Sequence, residues 1–216
     1  MEGTLVALNT GKAGTIEWQG KGVPSAINKE KVQKPLYLSR LNFEGDVQAD
    51  TVHHGGPEKA VCVYSHDHYP YWEKGLGISL SIPTFGENLT VKGLTEDQVF
   101  IGDIFKLGEA VVQVCQPRQP CFKVAAKLNQ PFMVKWIQDT GYSGYYMRVL
   151  EEGTVNPGDN LVLQEKNAHG ISVGFVNRIL YQDKENREGV MLLSELDELA
   201  EGVRSSMKKR LQSFPG

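Results

Sequence analysis

The chain has 216 residues, 40% hydrophobic and 23% charged, enough for one sizeable domain with a real core plus a small appendage. Its formal net charge of −3 gives no overall attraction to nucleic acid or anionic lipid, and no run approaches the roughly 20 apolar residues that span a bilayer. The opening MEGTLVALNT lacks the basic and apolar regions of a signal peptide, and three cysteines cannot all pair within the chain. A cytoplasmic protein with at least one free thiol is therefore expected, with neither nucleic acid nor membrane as partner.

Residues 1–165 read as β-rich, because short apolar runs are bounded by Gly, Pro, Asn and Asp. Strands are expected at 5–8, 36–38, 60–64, 88–91, 104–107, 110–115, 145–150 and 160–163. Two of them carry the same signal: Gly102-Asp103 precedes Ile104, and Gly158-Asp159 precedes Asn160. Many short strands with few long helices favour a closed or nearly closed barrel, which removes exposed edges. Asp67 is expected to cap a helix running to about Lys74, with Pro70 in its first turn. Pro131 opens another, with Met133, Trp136 and Ile137 on one face. Residues 166–216 change texture: Ile171, Phe175 and Ile179, then Leu199, Val203, Met207 and Leu211, recur at helical spacing. A helix at 189–193 lies between them, and Ser194 or Asp197 is expected to cap the last helix. This three-helix unit is too small for a robust core alone, so it packs on the barrel or on a second subunit as a homodimer.

The segment richest in chemistry is Gln116-Pro117-Arg118-Gln119-Pro120-Cys121-Phe122-Lys123. Two prolines stiffen the path and push the residues before them to extended conformations, which puts Cys121 at a rigid strand-to-helix junction. Arg118 and Lys123 lie close by, and a helix N-terminus with two cations favours thiolate, a soft ligand for a thiophilic metal. The ordinary alternative is a small buried cysteine. Cys62 reads as strand packing, and Cys115 at a strand end reads either way. A zinc site with His53 or His54 lacks a C-x₂-C pair and a matching histidine spacing. In His53-His54-Gly55-Gly56-Pro57-Glu58-Lys59, paired glycines free the backbone to approach an anion, with His54 and Lys59 as donors; a Gly-Pro turn between strands explains them equally. In Phe85-Gly86-Glu87-Asn88, Asn88 can offer donor and acceptor to a heterocycle. Tyr145 and Tyr146, in a Gly-flanked segment, line a pocket or alternate across a strand.

Taken together, residues 54–61, 85–94, 101–103 and 116–121 resemble the MOSC family, named for the C-terminal domain of molybdenum-cofactor sulfurases, over about residues 1–165. The tail resembles the helical domain of one bacterial branch, whose standalone members reduce N-hydroxylated purine bases such as hydroxylaminopurine. The resemblance implies a mainly β fold, a β-barrel-like domain with a few covering helices (1–165) followed by a small three-helix domain (166–216). It implies a molybdenum cofactor (molybdopterin) bound in a cleft with Cys121 as protein ligand to the metal, and reductive cleavage of N–O bonds in a small N-hydroxylated substrate. On these motifs, Arg118, Lys123, His54, Lys59 and Asn88 are expected to hold the cofactor. Three cysteines cannot supply the four thiolates of an ordinary iron–sulfur cluster, and no Gly-x-Gly-x-x-Gly fingerprint is present. Electrons must then come from a separate reductase. His53, His54 or an acidic neighbour supplies the proton. The competing readings are a non-redox carrier of cofactor or sulfur using Cys121, and a barrel serving only as an interaction module.

Overall fold

The computed structural model describes residues 1–47 and 55–214. In chain order the strands are β1 (Glu2–Thr10), β2 (Gly14–Trp18), β3 (Lys21–Ser25), β4 (Glu30–Lys31), β5 (Leu36–Leu38), β6 (Val61–Ser65), β7 (Leu89–Lys92), β8 (Ile104–Leu107), β9 (Ala110–Pro117), β10 (Tyr145–Glu151), β11 (Gly153–Val155) and β12 (Asn160–Glu165). The helices are α1 (Tyr69–Leu76), α2 (Phe122–Leu128), α3 (Met133–Thr140), α4 (Val173–Tyr181), α5 (Arg187–Glu195) and α6 (Glu201–Leu211).

Seven of the described strands close into a mixed barrel in the order β12-β8-β9-β10-β6-β7-β1, with β1 pairing back to β12. Closure leaves no long edge for another chain to pair with. Only β6 and β7 run parallel, and the crossover this requires is the segment containing α1. The two strands preceded by Gly-Asp, β8 and β12, lie side by side, with Leu107 opposite Leu161. Their turns match: Asp103 N–H donates to Phe100 O and Asp159 N–H to Asn156 O, while each carboxylate accepts the N–H three residues back.

Strand alternation divides the wall into two faces. Val61, Val63, Tyr145 and Met147 point into the barrel core, whereas Cys62, Tyr64 and Tyr146 point out. Outside that wall the β2–β3 hairpin, α1, α2 and α3 enclose a second apolar layer containing Ile16, Trp72, Phe85, Val124 and Ile137. A pocket opens between the outer face of the barrel wall and this second layer.

At the C-terminus, Val176, Ile179, Leu193, Val203 and Met207 share one continuous core with barrel residues, so the three helices pack on the barrel. Ser172 caps α4, and Ile171 stays outside the helix, its carbonyl accepting from Ile101 N–H. Neither Ser194 nor Asp197 caps α6: the Ser194 hydroxyl donates back to Met191 O within α5, and Asp197 pairs with Arg204. Ser65, rather than Asp67, caps the turn that leads into α1, because Asp67 instead accepts from Gly93 N–H. Nothing in the sequence announces the β2–β3 hairpin. Its turn uses Gln19 (φ 51°) and Gly20 (φ 74°), not the Asn-Gly or Asp-Gly that marks such turns, and Pro24 sits within β3.

Burial pushes the Cys62 thiol up to about 11 and the Cys115 thiol up to about 12, and raises the phenols of Tyr64, Tyr145 and Tyr146. An unfolded chain ionises cysteine near pH ~8.5 and tyrosine near pH ~10. The folded state therefore holds more protons in this window. Stability is full below about pH 8 and falls as pH rises through 9 towards 11, with each unit of displacement worth about 1.4 kcal/mol. The thermal midpoint should be flat from about pH 7 to 8 and drop steeply by about pH 10.5; an unchanged midpoint there would contradict the protonated burial of these groups.

Candidate functional site

Strand β9 ends at Pro117, and residues 118–120 carry the chain across to α2, where Cys121 is the N-terminal cap. Its backbone is extended (φ −112°, ψ 150°), as the flanking prolines favour. Its carbonyl accepts from Val124 N–H at 3.1 Å, but its sulfur takes no part in capping, and the residue is partly exposed. The path is locked from the other side by Arg118 N–H, which donates to Gly144 O at 3.0 Å. Gly144 adopts φ 72°, and a Cβ there would sit 2.4 Å from Val63 O, so the close approach requires glycine.

Arg118 is not solvent-facing, as charged residues outside an apolar pattern usually are; it is 7% exposed. Its Nη2 donates to Phe85 O at 2.8 Å, and its Nη1 is buried with no hydrogen-bond partner among the described residues. Phe85 is itself held by stacking on Tyr64, ring centroids 4.0 Å apart. Gly86 (φ 79°) lets the loop pass Ile27, where a Cβ would meet Cγ1 at 2.8 Å. A buried guanidinium donor left unpaired is costly, and sites that bind an anion are where such donors persist.

Arg118, Cys121, Lys123, Lys59 and Asn88 all line one pocket, together with Lys29, Asp46, Cys62 and Tyr146. Four cationic side chains face one carboxylate among the described lining residues, so the pocket selects an anion. The cavity measures about 100 Å³ and is open to solvent. His54 and His53 lie outside the described residues. Lys59 ends a single 3₁₀ turn, Pro57–Lys59, which opens at Gly56 with φ 97°. That turn is fastened by Glu58, whose carboxylate accepts from Arg148 and from Glu201 N–H at the start of α6.

Asn88 reaches the pocket but has both ends of its carboxamide committed. Its Oδ1 accepts from Cys62 N–H at 3.1 Å, and its Nδ2 donates to Asp46 Oδ2 at 2.9 Å and to Asn9 O at 3.3 Å. It therefore holds Asp46 against β6 while lining the pocket. The Asp46 carboxylate also accepts from Gly11 N–H and pairs with Lys29, both charges buried. Sequence reasoning misses Lys29 and Asp46 because they lie 17 residues apart in a stretch without strong periodicity. One signal is present: Gly45-Asp46 repeats the Gly-Asp turn, with Asp46 N–H donating to Phe43 O at 3.0 Å.

Cys62, read as strand packing, sits in the pocket wall at 6% exposure, while Cys115 is fully buried, its thiol against Glu58 O and Tyr146 O. The tyrosine pair separates across the strand: Tyr145 enters the barrel core and Tyr146 lines the pocket, opposite Cys62 and Gln116. Among the described residues no group of three or more His, Cys, Asp or Glu side chains is placed to hold a bare metal ion. Cys121 can offer one sulfur, which suits a metal that arrives with other ligands of its own.

Residues 50–162 match the family model described as the MOSC domain, and residues 171–214 match the YiiM-like 3-alpha helix domain. YflK of Bacillus subtilis is 52% identical over 98% of this chain and 96% of its own length. The crystal structure of YiiM from Geobacillus stearothermophilus superposes with a TM-score of 0.82 at 36% identity, covering 97% of this chain and 99% of that one. A protein named Reductase from Gibberella moniliformis is 34% identical over 99% of this chain, which spans only 38% of that longer protein. No helix among the described residues is long and apolar enough to cross a membrane.

Proposed function

The chain belongs to the MOSC family and carries a YiiM-like helical region, and from that premise we propose that it binds a molybdenum cofactor through the sulfur of Cys121 and reduces N-hydroxylated purine bases with electrons from a separate reductase. The observation that carries the reading is the junction itself: a partly exposed sulfur with no capping duty, in one cationic pocket with the unpaired Nη1 of buried Arg118. A molybdopterin is anionic and brings its own sulfur ligands, so one further protein sulfur and an anion-selecting pocket fit it. When bound, the cofactor supplies two-electron reducing power for cleaving an N–O bond.

The chain's own residues hold and orient. Cys121 ligates, Arg118 Nη1 and the Lys59 and Lys123 side chains bind negative charge, and the Lys29–Asp46–Asn88 assembly fixes the wall beside Cys62. Redox chemistry is supported by the fungal relative named a reductase, and the greater part of that longer protein lies outside the region this chain matches.

The test is metal analysis of protein from a cofactor-competent host, with turnover of hydroxylaminopurine under supplied electrons. About one molybdenum per chain with reduction is expected. Molybdenum without reduction would leave a carrier in place of an enzyme, and repeated preparations near zero that also refuse added cofactor would end the proposal.

A further inference from the structure

Four tyrosines are buried: Tyr64, Tyr69 and Tyr146 on the outer side of the barrel wall, and Tyr145 in the barrel core. Buried phenols ordinarily find a partner for the O–H. Tyr64 donates to Tyr142 O at 3.0 Å and accepts from Trp72 Nε1, Tyr69 donates to Glu87 Oε1 at 2.6 Å, and Tyr145 reaches Leu94 O at 3.4 Å. Tyr146 differs. Its oxygen lies beside the Arg118 guanidinium, which can only donate to it, its O–H donates to no described residue, and it is the one of the four that lines the pocket.

The pocket thus presents two donors in one lining with Cys121: Arg118 Nη1, buried and unpaired among the described residues, and the Tyr146 O–H, which donates to none of them. They differ in kind. A guanidinium suits an anion; a neutral phenol suits a neutral oxygen or nitrogen lone pair. The Tyr146 ring packs with Cys62 and Cys115 while the residue borders the ligand space. Its backbone is equally constrained, paired to Cys62 on one side and Gln116 on the other, so the phenol is presented from a rigid strand.

We infer that Tyr146 is the substrate-recognition donor of this site, its O–H holding the oxygen of the substrate's N-hydroxyl group beside Cys121 and so favouring hydroxylated over plain amino bases. This rests on the function proposed above. Arg118 keeps the anionic end of the bound assembly, and Tyr146 reads the group that distinguishes substrate from product. Discrimination comes from the unpaired donor: an amino product, itself a donor, leaves the phenol unsatisfied, which is where polar sites gain selectivity.

The experiment compares wild type with Tyr146→Phe. Phenylalanine keeps the ring packing and loses only the oxygen beside Arg118, so the melting temperature should move by less than about 5 °C and the molybdenum content should stay as in wild type. By calorimetry, wild type should bind hydroxylaminopurine more tightly than adenine, and the variant should lose roughly three- to ten-fold of that preference, the worth of one neutral hydrogen bond. Its kcat/KM should fall by at least the same factor. A folded variant that keeps its molybdenum, its binding preference and its kcat/KM overturns the assignment while leaving the cofactor reading intact. Loss of molybdenum in Tyr146→Phe would place the phenol on the cofactor and overturn it too. Wild type that neither prefers nor reduces the hydroxylated base defeats both readings together.

Discussion

Cys121→Ser should lose its molybdenum and its reductase turnover, while Cys115→Ser should keep most of both. A serine hydroxyl stays protonated near neutral pH and is a hard, weak donor where a soft sulfur is wanted. The loss should exceed the roughly 100-fold that changes behind a metal ligand cost. The two positions are structurally unlike. Cys121 is partly exposed at the pocket with a sulfur that caps nothing, whereas the Cys115 thiol is sealed against two carbonyls and pushed up to about 12 by burial. Serine at 115 can donate to the same carbonyls, so it should fold. Cys62→Ser belongs in the same series because Cys62 also lines the pocket. The measurement is molybdenum per chain and turnover for all three variants. Equal losses at 115 and 121 would show that the ligand is wrongly assigned or that the sulfurs act together.

Arg118→Ala should lower cofactor occupancy far more than it lowers stability. The side chain makes one protein hydrogen bond among the described residues, to Phe85 O, and leaves Nη1 buried and unpaired. Deleting it removes that bond but also removes a buried charge that no described carboxylate pairs, and the two effects oppose each other. The apo melting temperature should fall by less than about 5 °C, since a kcal/mol moves a chain of this size by roughly 2–4 °C. A charge-assisted hydrogen bond to the bound anion is worth about 1.5–3 kcal/mol, so occupancy at limiting cofactor should fall by roughly ten- to a hundred-fold. Arg118→Lys should recover only part, because one ammonium cannot reach both Phe85 O and a ligand as a planar fork does. Both variants need apo thermal unfolding and molybdenum content. An Arg118→Ala chain that unfolds when apo yet keeps its metal whenever folded would make the residue structural.

The junction is legible because its cause is local. Two prolines bracketing residues 118–119 dictate an extended path wherever the chain is placed, and the position of Cys121 at the start of α2 comes from them. The barrel strands are legible for the same reason, as apolar runs set off by Gly, Pro, Asn and Asp. The β2–β3 hairpin is hidden because Gln19-Gly20 is a weak turn signal and Pro24 argues against a strand. Helix caps went to residues other than those expected, Ser65 in front of α1 among them, because the competing side chains at Asp67 and Asp197 found tertiary partners instead.

By itself the sequence determined a mainly β chain with a helical tail, a stiff cysteine junction and a set of cations and glycines ordered along it; these rest on backbone restrictions and periodicity that neighbours in sequence impose. Only the tertiary structure decided which side chains share the pocket. Lys29 and Asp46 join Cys121 in one lining because barrel closure brings the segment after β3 against β6 and β9. Asn88 braces Asp46 because Asp46 was there to accept its Nδ2, and Arg118 went inside because Phe85 O was there to accept from it. A one-residue alternation set Tyr145 in the core and Tyr146 at the ligand, a choice of face that depends on which side of the strand the covering layer packs.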